Sequence, residues 1–207
     1  MPKSTDQKTL PPTRDRLIAA MLDALRTRGF HGVGLNDLLK TSGTPKGVLY
    51  HHFPGGKTEL AVAAINLAVE HLHSGLNKVF ERENDPGKAL NVWMDSAQKL
   101  LAHSDFEKGC PLATIALEST AKDLAIRDAI AHGFSSLRMG LADQLMAARI
   151  DEARARSLAA LIVSAYEGAL LQARVAGNVS VMQETTEALQ QMIQVSMAKQ
   201  RHSRGTQ

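Results

Sequence analysis

The chain has 207 residues, of which 44% are hydrophobic and 22% charged, so fibrous, collagen-like and wholly disordered readings are excluded. Its formal net charge is a modest +3, and its single cysteine, Cys110, excludes an intrachain disulfide and suits a reducing compartment. A chain of this length can bury enough surface to fold without a metal or disulfide staple.

Met1 to Arg14 is polar and carries Pro2, Pro11 and Pro12, so it is not a signal peptide, and residues 1–10 are expected to form a flexible basic tail. Extended alternating β-branched runs are absent and helical spacing recurs along the chain, which predicts an all-α fold. The first helix is expected to begin at Thr13, with the threonine hydroxyl as its cap. It carries Leu17, Ile18, Met21, Leu22 and Leu25 on one stripe and ends at Gly29 as a left-handed cap. A short helix over about 36–42 turns Leu38 and Leu39 inward and breaks at Gly43. Thr44 then caps a third short helix that has Pro45 at its first position and runs to His52.

After Pro54-Gly55-Gly56 a long helix is expected from near Lys57 to about Phe80. At 1.5 Å per residue it is roughly 35 Å long, enough to join a small head to a larger body. The loop from Glu83 to Gly87 marks a boundary, with Asp85 as cap and Pro86 at the first position of the next helix. A break at Lys108-Gly109 leads to a helix that begins Cys110-Pro111 and runs to about Thr120. Further helices are read over 122–149, 151–176 and 179–200, followed by a flexible tail over 201–207. The longest apolar run, Leu158 to Tyr166, is broken by Ser164 and is too short to span a bilayer, so no membrane partner is expected.

Small and apolar residues recur in steps of three and four on the last two helices. One stripe is Leu158, Ile162, Ala165, Ala169 and Ala173; the other is Met182, Leu189 and Met192. Such stripes suit close helix packing, either within the chain or against a second copy in a homodimer, which makes these residues the candidate dimer interface.

Enzyme motifs fail one by one. Gly55-Gly56-Lys57-Thr58 ends like a phosphate-binding loop, but its required earlier glycine falls at His51. Gly32-Val33-Gly34 is half of a dinucleotide fingerprint. His51 and His52 are adjacent and so do not share a helical face, and Cys110 has no second cysteine for a thiolate metal site. No catalytic residue, metal site or cofactor is expected.

The charge becomes informative once divided along the chain. Residues 1–57 hold nine Lys/Arg against four acids, giving +5, and the remaining residues carry −2. Two short helices joined by a Gly-containing turn, inside that basic segment, form the pattern of a helix-turn-helix over about 35–54. An ordinary helical hairpin with solvated charges has the same spacing, and the two readings stand level on spacing alone. Gly47 lets the backbone approach bases, while Lys46, Tyr50, His51 and His52 carry donors of suitable length for phosphates or base edges.

Thr44-Pro45-Lys46-Gly47-Val48-Leu49-Tyr50-His51-His52-Phe53, followed by Lys57, resembles the signature of the TetR family of bacterial transcriptional regulators, as do Gly29-Phe30, Leu38-Leu39 and Gly43 upstream. The resemblance covers about residues 13–72. Gly109-Cys110-Pro111-Leu112 looks like the branch with an LmrA/YxaF-like C-terminal domain. The resemblance implies a DNA-binding domain over 11–71 and an effector-binding and dimerisation domain over 72–200. It also implies a cytoplasmic homodimeric repressor, bound to a palindromic double-stranded operator and released by a small molecule. By position, Lys46, Gly47, Val48, Tyr50, His51 and His52 become recognition-helix residues, Thr44 a cap that touches the backbone, and Lys57 a phosphate clamp. Two departures stand out: Leu35 where the family often has threonine, with Asn36 as a replacement contact, and one extra residue before Lys57.

An effector pocket in such a body is apolar with a few placed polar groups. The candidates are Trp93, Met94, Leu112, Ile115, Phe134, Leu137 and Tyr166, with Glu118 and Arg138 as the polar groups. Cys110, expected at a helix N-terminus after Lys108, has the dipole and cation that lower a thiol pKa, and so is a candidate sensor of electrophiles or oxidants. A small buried core residue is the alternative. A partner-binding helical protein with a basic head remains a second functional class, separated from the first by sequence-specific, salt-sensitive DNA binding.

Overall fold

A computed structural model describes residues 11–204, which form nine helices and no strand. In order these are α1 (Thr13–Arg28), α2 (Leu35–Ser42), α3 (Lys46–His52), α4 (Gly56–Arg82), α5 (Pro86–His103), α6 (Pro111–Glu118), α7 (Leu124–Ala147), α8 (Glu152–Ala176) and α9 (Ser180–Arg204). Each expected helix is present, with ends displaced by a few residues. Helix α9 continues through 201–204, where the sequence suggests a tail. The tail expected at 1–10, and residues 205–207, lie outside the described residues.

The caps divide by where the acceptor sits. Asp85 accepts the Lys88 N–H at 2.9 Å with Pro86 next to it, and Asp151 accepts the Arg154 N–H at 3.0 Å. The two threonine caps do not form. Pro12 holds the cap position of α1, and Thr13 is already helical, its hydroxyl accepting from the Arg16 guanidinium at 3.2 Å. Pro45 holds the cap position of α3. Thr44, one residue earlier, is 5% exposed and donates its hydroxyl to the Ser42 carbonyl at 3.3 Å. A side chain outside the cap position is misplaced for the free amides of the first turn.

Helix α1 packs on α2, α3, α4 and α6, burying Leu17, Met21 and Leu25 against Leu38, Leu49, Phe53 and Leu60. Helix α4 leaves this head and packs on α5 and α7; α8 lies between α7 and α9, and α9 returns to α5. One apolar core runs through head and body, from Leu17 to Ile193. Helix α8 is long and apolar enough to cross a membrane by length and composition, with a mean hydropathy of 1.3, a property that counting unbroken apolar runs overlooks. Its Ala155, Leu158, Ala159, Tyr166, Ala169 and Leu170 pack against its neighbours in the bundle.

The stripes assigned to a partner copy are mostly filled from within the single chain. Leu158, Ile162, Ala169 and Ala173 are at most 2% exposed, and Met182 and Leu189 at most 3%; Ala165 is half-buried, and Met192 alone is open. Helical spacing marks a face to be buried and carries no information on which neighbour covers it. The open side of this layer carries Leu161, Leu171 and Val175 on α8 and Met192 and Val195 on α9.

Candidate nucleic-acid interface and effector cavity

In the head, α2 stops at Gly43, whose φ of 60° and ψ of 37° lie in the left-handed region that glycine adopts without strain. The Thr44 N–H closes the turn on the Leu39 carbonyl at 3.0 Å. Helix α3 is then fixed by Leu49 and Phe53, at 0% and 1% exposure. Its other side follows from the periodicity: Lys46, Gly47, Tyr50 and His51 are exposed, and Val48 and His52 half-buried. The His51 and His52 rings meet edge to face, 5.2 Å between centroids.

Lys57 does not extend freely into solvent. Its ammonium lies 4.4 Å from the centroid of the Phe30 ring, and partial burial pushes its pKa down while Glu118 pushes it up. Leu35 packs against the core in place of a polar contact, and Asn36 beside it is exposed.

The end of α1 is tied to the body at several points. Glu118 accepts the backbone N–H of Phe30 and, at 3.3 Å, that of His31. The carboxylate sits where a side chain at position 29 would stand, and Gly29 has a φ of 69° with a ψ of −174°, outside the left-handed helical cap expected of it, so only glycine serves there. Lys108 pairs with Asp23 at 2.6 Å, the Gly109 N–H donates to the Arg26 carbonyl at 3.3 Å, and Arg174 donates to the Thr27 carbonyl at 3.3 Å.

A cavity of about 240 Å³ opens beside this junction. Of the expected effector residues, Trp93, Cys110 and Tyr166 line it. The Trp93 and Tyr166 rings pack at 4.6 Å, and Leu72, Leu101 and Leu170 complete the apolar wall. The other candidates lie away from it. Met94, Leu112, Ile115 and Leu137 are buried in the core, Phe134 packs half-buried against it, and Arg138 is exposed. Glu118 is committed to the end of α1. Apolar residues in a helical body are chiefly core, and sequence alone does not say which few border a void.

Cys110 reverses the expectation for its thiol. It is 6% exposed, and its pKa is raised well above the usual thiol value, first by burial and then by the Glu167 charge. Desolvation outweighs the helix dipole, and Lys108, the cation expected to assist, points to Asp23 instead. Glu167 lines a second cavity of about 80 Å³ with Cys110 and Arg174. Both its carboxylate oxygens are buried, with the Cys110 thiol as the polar group beside them; burial lifts the Glu167 pKa to about 7, and the thiol works in the opposite direction. Among the described residues, no cluster of His, Cys, Asp or Glu is arranged to hold a metal ion.

Sequence reasoning passed over Arg26, Glu167 and Arg174, and gave Lys108 a role beside Cys110 in place of its pairing with Asp23. Glu167 did carry a signal, as the lone acid in the apolar stretch from Leu158 to Leu171. Arg26 carried none, because its role depends on the fold bringing the end of α1 to α5 and α8.

Residues 17–64 match the family model for bacterial regulatory proteins of the tetR family, and residues 86–188 that for the C-terminal domain of LmrA/YxaF-like transcriptional regulators. A helix-turn-helix-type transcriptional regulator of Mycobacterium tuberculosis is 34% identical over 171 residues, covering 78% of this chain and 84% of its own. The helix-turn-helix-type transcriptional regulator LmrA of Bacillus subtilis is 27% identical over 166 residues, covering 80% and 88%. The transcriptional repressor NemR of Escherichia coli is 30% identical over 115 residues, covering 55% and 56%. The crystal structure of its reduced form superposes with a TM-score of 0.76 at 22% identity, covering 86% of this chain and 96% of that one.

Proposed function

The chain belongs to the TetR family of bacterial regulatory proteins, which are DNA-binding transcriptional regulators, and on that premise we propose that it is a cytoplasmic homodimeric repressor released from a palindromic operator by a small molecule. The orientation of α3 carries the reading. Leu49 and Phe53 anchor it from inside, and Lys46, Gly47, Tyr50 and His51 are left outward, with Val48 and His52 at the margins. In this reading α3 enters the major groove, Lys46 and the histidines meet phosphates and base edges, and Gly47 and Val48 allow close approach. Thr44 contributes by fixing the turn, its hydroxyl being used within it. Lys57 reaches phosphate only by leaving the Phe30 ring.

The open apolar sides of α8 and α9 then meet their counterparts in a two-fold interface, which presents two α3 helices to successive grooves. The effector occupies the 240 Å³ cavity, against Trp93, Cys110 and Tyr166. Its position beside the end of α1 supports a route from ligand to head. Covalent capture by Cys110 is the second reading, favoured by the thiol lining both cavities.

Mobility-shift titration of the intact protein on DNA flanking its own gene tests the assignment. One fragment is expected to shift, with affinity falling steeply as salt rises. No shift, or equal shift of every fragment, overturns sequence-specific control of neighbouring genes.

A further inference from the structure

The cavity has one feature that an apolar effector leaves unused. Arg26, in the last turn of α1, lines it, and among the described residues no carboxylate lies within ion-pair distance of its guanidinium. The other cation at the wall, Lys108, is already matched by Asp23 at 2.6 Å. The walls around Arg26 are chiefly apolar and aromatic, and the Arg26 charge acts on Tyr166, working against the burial that drives the phenol's pKa upward. At about 240 Å³ the space is smaller than the roughly 300–1,000 Å³ of drug-sized sites, which limits the occupant to one or two rings.

We propose that the effector is a small planar aromatic carboxylate, its ring lying against Trp93 and Tyr166 and its carboxylate bound by the Arg26 guanidinium. The assignment rests on reading this cavity as the effector site and adds the ligand's charge class. A planar guanidinium gives a carboxylate two parallel donors, and the apolar surroundings strengthen the contact. Arg26 belongs to the head, while the ring contacts belong to the body. Its backbone carbonyl also accepts the Gly109 N–H at 3.3 Å. A ligand that draws the Arg26 side chain into the cavity therefore acts on α1 directly, and differs in affinity between two settings of the head.

Calorimetric titration of the full-length protein with 2-naphthoate, 2-naphthamide and 2-naphthylmethylammonium tests the assignment. The carboxylate should bind at least about tenfold more tightly than the amide, as one charge-assisted contact provides, and the ammonium should bind most weakly. Arg26→Gln should bring the carboxylate down to the level of the amide while leaving amide binding unchanged. Arg26→Lys should keep the preference for the anion, and Lys108→Gln should alter it less than Arg26→Gln does. In mobility shifts, 2-naphthoate should release DNA from the parent protein and fail to do so from Arg26→Gln. Equal binding of carboxylate and amide, or a preference that survives Arg26→Gln, overturns the Arg26 assignment and leaves the cavity as an effector site. Failure of all three probes to bind a protein that still shifts DNA overturns both.

Discussion

The carboxylate of Glu118, the last residue of α6, accepts the backbone N–H of Phe30, 88 residues earlier and just past the end of α1. The contact joins the segment that frames the cavity to the helix that supports α3. With the Lys108–Asp23 pair and the Gly109–Arg26 and Arg174–Thr27 bonds, it makes the end of α1 a shared element of head and body. A shift of α6 or its lead-in cannot occur without altering at least one of these contacts.

Removing that acceptor should therefore cost stability and coupling together. Glu118→Ala leaves two amides without their carboxylate and should destabilise the fold by about 1–3 kcal/mol in urea unfolding. Glu118→Gln keeps one acceptor oxygen and should cost less. Release of DNA by 2-naphthoate should weaken in Glu118→Ala while calorimetric affinity for the probe holds. A stability within about 0.5 kcal/mol of the parent, as for an ordinary surface change, would reduce the contact to a surface detail.

The outward side of α8 and α9 makes its own prediction. Leu161→Glu combined with Val195→Glu should convert a dimer to a monomer by light scattering, with the helical circular dichroism retained, since both side chains are exposed in the single chain. Ile162→Glu, at a position with 0% exposure, should unfold the protein instead, because an unpaired charge in the core has no compensation. A double variant that remains dimeric places the interface elsewhere.

The two basic side chains of the head should separate in salt titrations. Lys46 is exposed at the start of α3, and Lys46→Ala should weaken all DNA alike and reduce the salt slope by about one. Lys57 is held over Phe30, so Lys57→Ala should reduce the slope less and lower thermal stability. A full unit of slope lost at Lys57 would show that its ammonium leaves the ring for a phosphate on binding.

Burial of Cys110 predicts slow chemistry. Alkylation by N-ethylmaleimide should proceed more slowly in the folded protein than in urea at the same pH, because the thiolate is the reactive form and its pKa is raised. Glu167→Gln removes a charge that raises that pKa and should speed the folded-state reaction. Cys110→Ser should leave release by 2-naphthoate intact. Loss of electrophile-driven release in Cys110→Ser would establish the covalent reading, and an unchanged response would end it.

What the sequence revealed and what it concealed divide along a physical line. Periodicity, Asp85, Gly29 and Gly43 located the helices because those signals act within a few residues of themselves. The orientation of α3 was likewise legible, since Leu49 and Phe53 alternate with polar neighbours over one turn. Relations between distant helices were not. Leu158 and Leu161 are equally apolar, and only the packing of α7 and α9 decides that the first is covered and the second open. Cys110 shows the same limit for electrostatics: the helix end and Lys108 were visible in sequence, but the burial and the Glu167 carboxylate that dominate its thiol were not.

Glu167 offers the sharpest pH test. Its carboxyl titrates near 4.5 when free and near 7 in the fold, because burial outweighs the opposing effect of the Cys110 thiol beside it. The folded state thus binds the proton more tightly than the unfolded state, and stability must fall as pH rises between those values. The contribution is fully present below about pH 4.5 and is lost as pH passes through about 7, amounting to about 3 kcal/mol at one pKa unit per 1.36 kcal/mol. Glu167→Gln keeps the shape and cannot ionise. Urea unfolding at pH 5.5 and pH 7.5, in a Cys110→Ser background that removes the thiol coupled to Glu167, should show the variant gaining on its parent at the higher pH, with titrating groups remote from Glu167 cancelling in the comparison. A difference between parent and variant that stays constant across this window would mean that Glu167 finds a partner or water in solution, and that its carboxylate is ionised at little cost.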